Sequence, residues 1–224
     1  MPARHPIPSL WLMTDERLGD ALWTALRRLP RGAGIVFRHY ATPPAERRAL
    51  YRRIARIAGQ RGLVLVRAGP DRLGCEDGVH GQRGAGLVTW PAHSRREAVR
   101  GVRAGAAVLF VSPVYATRSH PGASALGEAA AARVAAGLPV AAIALGGVTP
   151  ARGARLMRRG FHGWAAIDAW SGRHPTSQSC PRKALLSEVE GRKPIPVVTP
   201  GENARKPGPR VGARLAQKRK AAPI

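Results

Sequence analysis

Between Leu10 and Ile167 the chain alternates eight short apolar, β-branched runs with amphipathic or Ala/Arg-rich stretches, and this rhythm restricts the fold more than any other feature. The runs are Leu10–Met13, Gly34–Arg38, Leu63–Val66, Gly78–His80, Leu87–Trp90, Val108–Ser112, Val140–Leu145 and Trp164–Ile167. Eight strands joined by crossovers match a closed barrel better than a doubly wound sheet, which has roughly five to seven. The expected fold class is therefore α/β, a (β/α)8 TIM barrel over residues 10–170 with a short lead-in at residues 1–9.

The stretches between strands carry helix signals. Within Pro44–Ala58, Leu50, Ile54 and Ile57 recur at i, i+4 and i+7, which predicts one stripe on the sheet and the arginines in water. Ser94 with Glu97 forms a capping box, placing a helix over Arg95–Arg103. Thr149 followed by Pro150 reads as an N-cap and a first-turn proline, with the helix ending near Gly160. The connections Gly69–Asp77 and Gly81–Gly86 are too short for full helices, so the barrel is trimmed.

Past Trp170 the composition changes. Residues 171–224 hold eight of the 20 prolines, 12 Lys/Arg against three acidic residues, and no aromatic residue. Such a segment cannot bury enough apolar surface to offset its ordering entropy, which predicts a disordered basic tail and leaves the eighth helix missing or improvised.

The whole chain has 37 Lys and Arg against 13 Asp and Glu, a net charge of +24, which raises nucleic acid as a partner. That excess divides into +15 before the tail and +9 within it. A nucleic-acid site would be expected to concentrate cations in a stripe with stacking aromatics, and aromatic residues make up only 5%. The expectation is thus a solvated basic surface rather than a nucleic-acid interface. Cys75 and Cys180 lie far apart without metal-ligand spacing, which argues against zinc and against a disulfide framework. No run approaches the roughly 20 apolar residues of a membrane span, and the N-terminus lacks the apolar segment of a signal peptide. A cytoplasmic location without a membrane partner is expected; a homo-oligomer stays open.

In this fold the site forms at the C-terminal ends of the strands. After the seventh strand Gly146 and Gly147 precede the Thr149 cap, so backbone N–H groups and a helix N-terminus face the same place. With Asp168 and Ala169 after the eighth strand, they form a candidate phosphate cradle; the plainer reading of a glycine pair is a tight turn.

Several of these segments resemble thiamine phosphate synthases and the related TenI thiazole tautomerases. Leu10 to Asp15 is similar to the family's "LYLVTD", and Asp77 to Gln82 to "DGVHLGQ". Pro91 to Ser94 with Glu97 and Ala98 resembles "SxHSxxEA". Gly105, Ala106 and then Val111 to Thr117 resemble "GADYxxxGPVFPT", and Ile143 to Val148 resembles "AIGGI" with one extra residue. Five such motifs in order are specific to the family, though not to one activity.

For a synthase the resemblance implies a transferase that joins a pyrimidine diphosphate to a thiazole phosphate, with Mg2+ and cationic side chains neutralising the leaving diphosphate. Arg38 and Thr117 fall at positions implied to bind substrate. Departures are clear, however: the family's Gln-x-Arg-x-Lys becomes Val36 to Tyr40, keeping only Arg38. Only Asp71 can stand in for an Asn-Asp pair, Arg83 and Gly84 replace a metal-binding Asp, and Pro91 replaces a serine. Arg118 or His120 is the nearest match to a lysine after Thr117.

A tautomerase, by contrast, needs no metal, and His93 would be its acid/base, imidazole being suited to proton transfer near neutrality. Read from its neighbours alone, His93 is an exposed residue before the Ser94 cap. His80 reads as a packed or hydrogen-bonded strand-end residue. His5, His39, His120, His162 and His174 have no constellation around them. A non-catalytic ligand-binding relative is the further alternative.

Overall fold

The computed structural model describes residues 6–117 and 124–171. The predicted tail and the segment with Arg118 and His120 lie outside those residues, as do His5 and His174. All eight strands form: β1 (Leu10–Met13), β2 (Gly34–Phe37), β3 (Val64–Ala68), β4 (Gly78–His80), β5 (Leu87–Ala92), β6 (Val108–Val111), β7 (Ala141–Ala144) and β8 (Gly163–Ala166). They pair in chain order, every ladder parallel, and β8 closes onto β1 through Leu10↔Trp164 and Leu12↔Ala166. The (β/α)8 barrel expected from the alternation is the fold.

The two-residue period of a strand sorts the core into two shells. Trp11, Met13, Val36, Val66, Phe110 and Ile143 fill the interior, while Leu12, Ile35, Leu65, Leu109 and Trp164 face the helices. Trp11 occupies so much of the interior that a Cβ on Gly34 would lie 2.2 Å from its ring. A larger residue there has no room.

Among the described residues five α-helices cover the outside: α1 (Ala21–Arg28), α2 (Pro44–Arg61), α3 (Arg95–Arg103), α4 (Gly127–Ala135) and α5 (Pro150–Arg158). Ser94 caps α3 by accepting from the Glu97 amide, and Thr149 caps α5 by accepting from the Arg152 amide, as anticipated. The reciprocal half of the α3 box differs, because Glu97 reaches the His93 amide at 2.8 Å.

The α2 stripe is rotated from the expected one. Arg47, Tyr51, Ile54 and Ala58 form the buried face, with Leu50 and Ile57 on its flanks. Arg47 is tolerated inside because its guanidinium donates to the carbonyls of His39 (3.0 Å), Arg38 (3.2 Å) and Ala68 (2.6 Å), and lies over the Phe37 ring.

No helix joins β3 to β4 or β4 to β5. Instead, Arg67 on the outer face of β3 pairs with Glu76 of the following loop at 2.7 Å, both almost fully buried. Glu76 also accepts from the Gly74 amide, and Asp77 from the Leu65 amide. That pair is why β3 continues through Arg67 and Ala68 beyond its apolar run. β5 likewise extends to Ala92, registering Pro91 with Phe110 and Ala92 with Val111. After β8 the chain turns, Ser171 donating to the Asp168 carbonyl, and the Trp170 ring stacks on Trp164 at 5.2 Å, covering part of the outer face of β8.

Candidate active site

The C-terminal rim is built from the residues that follow each strand. At β1 and β2 the side chains bond chiefly to one another. The Arg38 amide donates to Thr14 Oγ1 at 3.0 Å, and His39 Nδ1 lies within hydrogen-bond distance of the same oxygen at 2.9 Å. Burial pushes the pKa of His39 down. Its ring stacks on Phe37 at 5.0 Å. His39 therefore has a constellation after all, and its role in it is structural. His162 also has a partner, the Ile7 carbonyl at 3.0 Å.

Arg38 folds along the rim. Its Nε donates to the Thr14 carbonyl (2.9 Å) and its Nη2 to Asp15 Oδ2 (3.1 Å). Asp15 is held further by Arg17, at 2.7 and 2.9 Å, and that hydrogen bonding keeps its carboxyl below the usual range. Asp168 is exposed beyond β8 and adds to the upward shift of the Arg17 guanidinium, which comes first from its hydrogen bond to Asp15; Ala169 beside it is half-buried.

His80 is the last residue of β4. Its Nδ1 lies 2.9 Å from Thr89 Oγ1 and its ring meets Phe110 edge-on at 5.5 Å. Burial pushes its pKa down to about 4, so it is neutral at pH 7. The hydrogen-bonded strand-end reading of His80 agrees with this arrangement.

His93 follows β5 on the same rim and is exposed. Its Nδ1 sits 2.8 Å from Glu97 Oε2, which also accepts the His93 amide. Those two bonds hold the Glu97 carboxyl low. With Nδ1 turned toward the carboxylate, Nε2 is the ring atom left to exchange a proton with a ligand.

Gly146 and Gly147 adopt left-handed backbone with φ of 94° and 62°. They pack against the loop after β6: Val114 donates to the Leu145 carbonyl and Tyr115 to the Gly146 carbonyl. A Cβ on Gly147 would come 2.5 Å from the Ala116 carbonyl oxygen. Both φ and packing thus require glycine here. Arg152, in the first turn of α5, donates to the Gly147 carbonyl at 2.7 Å and lies over the Tyr115 ring at 4.3 Å. Sequence reasoning passed over Arg152 as one helix arginine among many; its third place after the Thr149 cap was the available signal. Thr117, half-buried, ends this stretch of described chain.

Magnesium needs converging oxygen ligands, chiefly carboxylates. On this rim Asp15 is bonded to two arginines, and Glu76 is paired with Arg67 on the outer wall. Asp71 is exposed in the β3–β4 loop, while Arg83 donates to the Arg103 carbonyl. Among the described residues no three His, Cys, Asp or Glu side chains converge on one point. The donor set does not fit a resident magnesium ion.

Residues 69–170 match the family model described as thiamine monophosphate synthase. Over that stretch, somewhat less than half of the chain, the sequence is similar to the thiamine phosphate synthase/TenI superfamily. The thiamine-phosphate synthase of Chloroflexus aurantiacus is 37% identical over 86 residues, which cover 37% of this chain and 39% of that relative. The chain thus aligns with well under half the length of the curated relative. Among solved structures, a thiamine phosphate pyrophosphorylase from Pyrococcus furiosus superposes with a TM-score of 0.62 at 20% identity, over 76% of this chain and 90% of that one. A designed cube-shaped protein cage, built by fusing symmetric oligomeric domains, matches at 0.51 and 18% identity, over 82% of this chain and 70% of that one. These two likenesses concern the fold. In a barrel of this kind the C-terminal strand ends form the rim, and His93, Thr117 and the glycine pair follow β5, β6 and β7.

Proposed function

We propose that this barrel is a thiamine phosphate synthase-like enzyme that acts on a thiazole phosphate. The observation that carries the reading is the Gly146–Gly147 turn, seated at the capped N-terminus of α5 within the stretch that matches the synthase family model. There the phosphate would meet backbone N–H groups and the positive end of the helix, with Arg152 adding a guanidinium beside them. Asp168 and Ala169 would border it from β8, and Thr117 from β6. The ring would lie toward His93 and the apolar floor around His80 and Phe110.

One set of observations favours the metal-free alternative, a thiazole tautomerase. Arg38 is bonded to Asp15, and Tyr40 stands where the family has a lysine, so the groups that would neutralise a departing diphosphate are not gathered. His93 with Glu97 behind it needs no metal to move a proton. Incubation with the thiazole phosphate, the pyrimidine diphosphate and Mg2+, followed by chromatography, separates the readings. Thiamine phosphate as product supports the synthase; isomerised thiazole phosphate without coupling supports the tautomerase. Recovery of both substrates unchanged, together with no binding of thiazole phosphate, would refute both.

A further inference from the structure

Helix α2 turns Arg47, Tyr51, Ile54 and Ala58 inward, and on its other side Arg48, Arg52 and Arg56 are all exposed. They recur every four residues, about 6 Å apart along the axis. None has an acidic residue three or four positions away; the one acid on the helix, Glu46, lies in the first turn and has Ala49 and Leu50 at those distances. Among the described residues none of the three makes an ion pair. Like charges at i, i+4 destabilise a helix, so this row costs stability that nothing within the described chain offsets.

The row is extended by neighbours. Arg53 lies over the Trp23 ring of α1 at 4.2 Å, and α1 ends in the exposed Arg27 and Arg28. The other Arg-rich helices are compensated in part, Arg96 and Arg103 of α3 having no acidic residue three or four positions away. On α3, Glu97 sits three residues before Arg100, and Arg95 donates to the carbonyls of Val134 and Ala136. On α5, Arg155 is paired with Glu128, as is Arg159 just beyond it.

From this contrast we infer that the outer face of α1 and α2 binds the phosphate backbone of nucleic acid without regard to sequence. Composition alone pointed away from such a partner because the cations seemed dispersed. The fold aligns one set of them into a row of regularly spaced, uncompensated guanidinium groups, each able to displace a counterion from a phosphate. The face lies on the outer wall of the barrel, and this inference does not rest on the proposed reaction.

The test titrates the full chain into a short fluorescent duplex and follows anisotropy between about 50 and 200 mM salt. The inference predicts saturable binding, and a slope of log K against log salt that becomes shallower by roughly 2–3 in the R48Q/R52Q/R56Q variant. The α3 variant R96Q/R100Q/R103Q, with the same charge change, should alter that slope far less. Relief of the like-charge pairs predicts that the α2 variant melts no lower than the parent. Absence of binding at the lowest salt would overturn the inference. So would equal losses in the two variants, which would mean diffuse net charge, or binding confined to phosphatidylserine vesicles.

Discussion

The two halves of the barrel treat their rim polar groups differently. In β1 and β2, Thr14, Asp15, Arg38 and His39 bond to each other, and Arg47 locks the carbonyls behind them. From β5 to β8 the rim presents an exposed imidazole and a glycine turn at a helix N-terminus. The second half lies within residues 69–170, the stretch that matches the family model. On the reading proposed above, the first half holds the shape of the mouth and the second half carries the chemistry.

The sharpest break of that contrast is the loss of an imidazole. Under the tautomerase reading, His93→Ala should lower proton transfer on the thiazole by about 10²–10⁴-fold, the range for a positioned acid/base group. Binding of the thiazole phosphate and the melting temperature should stay close to the parent's. Rate measurements beside calorimetric binding check this; unchanged turnover would move the chemistry away from β5.

The first half should answer in stability instead. Arg47→Met leaves the carbonyls of His39, Arg38 and Ala68 without their donor, and the expected cost is about 3–5 kcal/mol, read by urea unfolding. A loss under about 1 kcal/mol would show that the β2 rim does not depend on this clamp.

Much of this molecule was legible in its sequence because apolar periodicity and caps are local signals. All eight strands were, and so were the Ser94 and Thr149 caps. What escaped depends on partners far along the chain. Arg47 read as a surface cation and Arg67 gave no signal, since nothing near them in sequence announces three backbone carbonyls or a buried Glu76. His39 looked solitary for the same reason, its partner Thr14 lying 25 residues away. In the site, the glycine pair was visible as a turn before a capped helix. Its packing against Ala116 was not, because that contact exists only once β6 and β7 are paired.

That packing gives the next expectation. Gly147→Val must adopt φ near 62° and meet the Ala116 carbonyl, so it should lose about 2–4 kcal/mol of stability along with phosphate-ligand binding. Chemical unfolding and ligand titration report the two effects separately. Full stability in the variant would mean the turn is not held as tightly as its contacts indicate.

A smaller effect comes from the floor of the mouth. His80 titrates near 4 when folded and at its ordinary value of 6.5 when unfolded, so between those values the unfolded chain binds the extra proton. Stability should therefore fall as pH drops from about 6.5 to about 4, by at most about 3 kcal/mol. Unfolding midpoints of parent and His80→Gln across that range should converge toward acid pH. Parallel profiles would show that the imidazole is not buried in its neutral form.

The claim that ligand chemistry belongs to the second half of the rim is tested most directly by titrating the full chain with thiazole phosphate while following its backbone amide resonances. The account predicts saturable shifts that are largest at Gly146, Gly147, Arg152 and His93, with Thr14, Arg38 and His39 nearly unmoved. Shifts centred on Thr14 to Tyr40, with the glycine turn silent, would contradict it.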